Sequence, residues 1–186
     1  ERGGTRVRIS RIKPEIVELI NGEQFADSIA SQIAKTYGPF LAVHVDVYVN
    51  GVSVDPNQIP LGYNSALGMQ KEEYTDRGVS VRIVASVAAP GPRGGWEMEK
   101  AGWYVVCNGR VVVFADRTTL TGWGAGILPQ FHSSKGRGFV GVAAFVSDNP
   151  LNLPWTTTKR GLNRESPVYV HAQSVMQRVG SIVYKA

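Results

Sequence analysis

Val7 and Ile9 alternate with Arg6 and Arg8, so residues 5–10 read as a half-buried strand. Pro14 opens a short helix that runs to residue 20. Asn21, with Gln24 three residues on, caps a second helix. There Phe25, Ala26, Ile29, Ala30, Ile33 and Tyr37 form one stripe, while Asp27, Ser31, Gln32 and Lys35 face away. Gly38 and Pro39 end that helix. Val43, Val45, Val47 and Val49 then alternate with Ala42, His44, Asp46 and Tyr48. Asn50-Gly51 comes next, the signal of a type I′ hairpin, before Val52 and Val54.

Residues 55–68 carry two prolines, two asparagines and two glycines without periodicity, which marks a loop and the boundary between two units. Beyond it, residues 79–89 form a strand, broken by the proline- and glycine-rich stretch 90–95. Residues 103–107 and 110–115 flank Asn108-Gly109 as a second hairpin. Residues 118–134 are irregular, and residues 139–146 are a buried strand. Ser166 caps and Pro167 opens a last helix, with Val168, Ala172, Val175, Val179 and Ile182 on one face. No internal repeat is present.

With 186 residues and 43% hydrophobic content, the chain can bury a real core, which excludes a disordered class. No apolar run reaches the roughly 18 residues of a membrane span, so no membrane partner is expected, and the lone thiol in an apolar run suits a cytoplasmic protein. Glu1 opens the chain without Met or a signal-like segment, as expected of a piece of a larger protein. The single Cys107 excludes an intramolecular disulfide and, within an apolar run, reads as a buried thiol. A net charge of +5 permits phosphate-rich partners without naming one, because the cations are scattered.

Among motifs, Gly136 to Gly141 spells G-x-G-x-x-G, but these glycines open a strand, whereas a dinucleotide fingerprint must open a helix. The same stretch faintly resembles the aromatic strand of an RNA-recognition motif and lacks its stacking residues. His44, His132 and His171 lie far apart in sequence with no Cys or carboxylate at ligand spacing, so no metal site is expected. Cys107 with His132 as a nucleophile pair is a weaker reading than core packing. Trp96, Trp103, Trp123 and Trp155 read as core and loop anchors. The richest chemistry lies at residues 156–161, where Thr156, Thr157, Thr158, Lys159, Arg160 and Gly161 join a strand to a helix. Three hydroxyls and two cations there suit an anion. Lys159 can swing toward a phosphate held by another domain, with Arg160 sharing the role. A polar turn with a solvated cation pair is the alternative, and the spacing leaves both open.

Several stretches resemble a known family. GTRVRI, a two-part helical stretch ending AKTYGPF, and VDVYVNG are similar to the end of the ATP-binding domain in the GHKL ATPases, the group of gyrase B, the heat-shock chaperones, the histidine kinases and MutL. AGWYVVCNGRVVVFAD, GFVGVAAFVSDNPLNLPWTTTKRGLN and the closing helix resemble their transducer domain, especially in the chaperone-like and MORC-like branch. The resemblance implies an α/β (α+β) protein. Residues 1–66 would end a Bergerat-type ATP-binding sandwich, and residues 67–186 would be a ribosomal-protein-type transducer with a left-handed βαβ crossover.

It further implies that Lys159 is the switch lysine that senses the γ-phosphate, with Arg160 as its rival. Thr157 and Thr158 would line the phosphate, and Gly4-Thr5 matches the pair that opens a late strand of the ATP domain. ATP and magnesium are the implied cofactors of the full-length protein. The Glu/Asn helix and the Asp-x-Gly-x-Gly box of the family are absent, so this chain alone is expected neither to bind nor to hydrolyse ATP. Its first partner would be the upstream ATP-binding domain, with a second copy and nucleic acid as further candidates. Two other classes stay open: a basic nucleic-acid module using Lys135, Arg137, Lys159 and Arg160 on phosphates, and a scaffold without ligand.

Overall fold

A computed structural model describes residues 6–41, 43, 45–62 and 68–185. Helices α1 (Pro14–Asn21) and α2 (Glu23–Leu41) come first, and then the two-residue strands β1 (Tyr48–Val49) and β2 (Val52–Ser53). The rest is an α+β unit. Its strands are β3 (Gln70–Asp76), β4 (Val79–Val87), β5 (Gly102–Cys107) and β6 (Arg110–Asp116), then the four-residue α3 (Ser133–Gly136), β7 (Phe139–Val146) and the long α4 (Pro167–Lys185). The five strands lie in the order β3-β4-β7-β5-β6, with β7 parallel to β5 and the other neighbours antiparallel.

Period-two alternation sorts the sheet into two faces. Val79, Val81, Ile83 and Ala85 of β4, Trp103, Val105 and Cys107 of β5, and Phe139, Ala143 and Phe145 of β7 point to one side. There they meet Val168, Ala172, Val175 and Val179 of α4 as the 3.6-residue period predicts, together with Met176 and Val183, whereas Ile182, expected on this face, is 46% exposed because the stripe turns to Val183 at the helix end. Tyr104, Val106 and Val140 point to the other side, where Ile59 and Leu61 partly cover them. Helix α2 lies against β6: Arg110 Nη1 donates to Tyr37 Oη at 2.7 Å, and Lys35 Nζ lies 5.9 Å from the Phe114 ring centroid.

Two hairpins form as their turn residues require. Asn50 and Gly51 have φ of 49° and 81°, and Asn108 and Gly109 have 45° and 78°, the left-handed pair of a type I′ turn. Strand β7 and the start of α4 also fall where expected.

Other expectations need correction. Residues 6–10 are not a strand, and Val7 and Ile9 are 82% and 78% exposed. A strand needs a neighbour to satisfy its backbone, and these residues have none among the described ones. Asn21 ends α1 instead of capping α2, and Gly22 stands at the junction. The Val43–Val49 pattern yields only two paired residues, Tyr48 with Ser53 and Val49 with Val52; Ala42 and His44 lie outside the described residues. Helix α2 runs through Gly38 and Pro39 to Leu41. Proline removes one backbone donor, a tolerable loss near the end. A Cβ on Gly38 would collide with the carbonyl oxygen of Asn57, whose N–H donates to Ala34 O at 3.3 Å, so the glycine lets the following loop press on the helix.

Candidate functional site

Strand β7 delivers the chain to residues 147–166, and distant side chains brace its exit. Asn108 Nδ2 donates to Ser147 O at 2.9 Å and Asn108 Oδ1 accepts from Ser147 N at 3.0 Å, while Ser147 Oγ donates to Gly78 O at 2.9 Å. Asn149 Oδ1 then accepts from Leu151 N at 3.1 Å and caps a single 3₁₀ turn, Pro150–Asn152. Leu153 anchors the segment in the core.

Residues 154–163 form a small stapled hairpin. Trp155 pairs antiparallel with Leu162, Thr156 N donates to Gly161 O at 2.9 Å, and Asn163 N donates to Pro154 O at 2.9 Å. Lys159 sits at the turn with φ of 55°, uncommon without glycine, where its N–H donates to Thr156 O at 2.7 Å. The Trp155 indole N–H is fixed by Pro150 O at 2.9 Å, and Lys159 Nζ lies 5.0 Å from the Trp155 ring centroid.

Beside the hairpin opens a cleft of about 860 Å³ reached by Lys159, Thr156, Thr157, Asn149, Asn152 and Arg77. Of the residues expected from sequence, Lys159 and Thr157 therefore share this cleft. Thr158 and Arg160 are exposed on the same hairpin but do not line it. Gly4 and Thr5 lie outside the described residues. Sequence reasoning missed Arg77, which reaches the cleft from the β3–β4 turn, and Asn108, which braces the loop from the β5–β6 turn. Both come from turns far away in sequence, and no local pattern links them to the loop.

The remaining candidates resolve into structural roles. Each glycine of the G-x-G-x-x-G seats an aromatic ring: a Cβ on Gly136 would collide with Phe131, on Gly138 would lie 2.9 Å from Trp96, and on Gly141 would collide with Trp103. Phe139 between them is buried against Trp103 and Trp123, so no base can stack on it. Lys135 and Arg137 precede β7, whereas Lys159 and Arg160 lie beyond it. The eight-residue strand alone separates its two ends by about 23 Å. His171 Nδ1 lies 2.9 Å from Asp76 Oδ2 and its ring packs on Tyr74, whose hydroxyl is pushed up to about 12 by burial and then by Asp76 and Glu72. Among the described residues no three His, Cys, Asp or Glu side chains gather as a metal-binding set.

Cys107 is fully buried and its thiol is pushed up to about 12 by that burial. A thiolate is the reactive form, so at pH 8 the native thiol reacts with Ellman's reagent about a thousandfold more slowly than an ordinary cysteine. Unfolding in guanidinium restores prompt, stoichiometric reaction. Fast native labelling would instead place Cys107 at the surface and reopen its pairing with His132.

Comparison with protein-family models gives no match, and no curated protein matches the sequence. Among the solved structures that are similar is the crystal structure of the B-subunit of the DNA gyrase from Myxococcus xanthus, at 13% identity and a TM-score of 0.35. The match covers 60% of this chain and 38% of that one.

Proposed function

We propose that this chain is the C-terminal half of a GHKL-type ATPase. In this reading residues 1–66 end the ATP-binding domain, and residues 67–186 are the transducer, with the left-handed crossover of its family. Lys159 touches the γ-phosphate of ATP held upstream, and the chain relays nucleotide state from there to whatever partner the protein serves.

One observation carries the reading: an exposed Lys159-Arg160 pair stands on a stapled hairpin between the strand β7 and α4, with no carboxylate partner for either cation among the described residues. A solvated surface pair needs no such bracing. A cation that must meet a phosphate in another domain gains from a rigid base and a head that no carboxylate neutralises. The residues present fit a phosphate contact of this kind, and among the described residues no ligand set for magnesium gathers. Lys159 accordingly supplies positive charge where negative charge develops on the transferred phosphoryl group.

Proximity is directly testable. An acyl phosphate of ATP carries its activated carbonyl to any amine beside the phosphates. In a protein containing both domains it acylates Lys159, and excess ATP protects the lysine. Labelling of other lysines while Lys159 stays unmodified would remove it from the site.

A further inference from the structure

We infer that Trp155 is a positioning residue that holds Lys159 in a withdrawn state, from which bound phosphate must draw it. The inference rests on the reading of Lys159 as the phosphate sensor. Its own basis is the geometry of the hairpin. Lys159 Nζ sits 5.0 Å from the Trp155 ring centroid, within cation–π range of the aromatic side chain that binds cations best. That indole is itself immobilised, by its N–H to Pro150 O and by the pairing of Trp155 with Leu162. The left-handed backbone at Lys159 fixes where its side chain starts, on a turn closed over Trp155. No hydrogen bond or ion pair engages the ammonium among the described residues, which leaves the indole face as its partner. Arg160, one residue on, has no aromatic face under it among the described residues. The two neighbouring cations therefore differ: one is held, the other is free.

A lysine resting on an indole is not available to phosphate, and the apparent affinity for ATP falls by the fraction of molecules in which it is withdrawn. For an exposed cation–π contact that fraction corresponds to about a two- to fivefold effect. In a protein containing the ATP-binding domain, Trp155→Leu therefore tightens ATP, with KM falling by about two- to fivefold. Trp155→Phe, which keeps a π face, stays near the wild-type value. A merely structural tryptophan predicts a change of the opposite sign: loss of its anchoring loosens the loop and raises KM in both variants.

A spectroscopic reading needs no variant at all. The Lys159 side-chain methylene protons carry an upfield ring-current shift in the nucleotide-free protein and lose it at saturating ATP. Persistence of the shift with ATP bound, or a KM that is unchanged or raised in Trp155→Leu, overturns the inference. The two levels separate through Lys159→Ala. If that variant keeps full affinity and turnover, the sensor reading itself fails; if it is impaired while Trp155→Leu does not tighten ATP, only the withdrawn state is lost.

Discussion

Lys159→Ala, in the protein that carries the ATP-binding domain, lowers ATP turnover by about 10²- to 10³-fold, the usual consequence of deleting one preorganised group that stabilises transition-state charge. The effect is on chemistry and not on folding. Lys159 is exposed, and among the described residues its ammonium makes no hydrogen bond or ion pair beyond its contact with the Trp155 ring, so the unfolding free energy changes by no more than about 0.5–1 kcal/mol. Arg160→Ala has the smaller effect on turnover, because Arg160 stands outside the cleft that Lys159 lines. Steady-state hydrolysis and a thermal melt on the same samples check both halves of the statement. Turnover at the wild-type rate in Lys159→Ala, or a larger loss in Arg160→Ala, would transfer the role or dissolve it. Lys159→Arg restores part of the rate, since a guanidinium keeps the charge but not the reach or shape of the ammonium.

The parts of the fold that are legible in the sequence are those where local chemistry and burial agree. Asn108-Gly109 demands a type I′ turn, and the strands on both sides are apolar enough to be β5 and β6. Helix α4 announces itself by a proline at its first position and a stripe that packs on the sheet. Strand β3 is invisible for the opposite reason. Its Gln70, Lys71, Glu72, Glu73, Thr75 and Asp76 carry almost no apolar signal, and it forms because β4 offers it a complete antiparallel partner. Such a charged edge is also what discourages pairing with other chains.

At the candidate site, the hydroxyls and cations of residues 156–160 can be read as anion chemistry. The contact of Lys159 with Trp155 cannot, because a four-residue spacing brings side chains together in a helix, and here a hairpin turn does it instead. Arg77 is hidden with β3. Residues 6–10 mislead in the other direction: their alternation is genuine, but alternation specifies a face and cannot supply the neighbour against which a strand pairs.

Gly141→Val destabilises the protein by at least about 3 kcal/mol, the upper part of the range for overpacking a closed core. Trp103 is the cause, because it is fully buried between sheet and helix. Its indole lies over the Gly141 backbone of β7 on one side, where a Cβ would collide with the ring. On the α4 side a Cβ at Gly180 would lie 3.0 Å from Trp103 Cζ2, and Phe139 packs edge-on with centroids 5.4 Å apart. The ring therefore has no direction in which to yield. A β-branched side chain ordinarily favours a strand, which offsets only about 1 kcal/mol of the collision. For a chain of this length each kilocalorie lowers the melting temperature by about 2–4 °C, so Tm falls by about 6 °C or more.

Trp103→Phe in the same chain vacates the volume that valine needs. It also removes an indole N–H that is buried without a partner among the described residues. The double variant Gly141→Val with Trp103→Phe is therefore more stable than Gly141→Val alone, with a coupling of about 1–3 kcal/mol in a double-mutant cycle. Additive losses, or a Gly141→Val protein that melts with the wild type, would mean that the glycine of β7 is not the seat of the tryptophan.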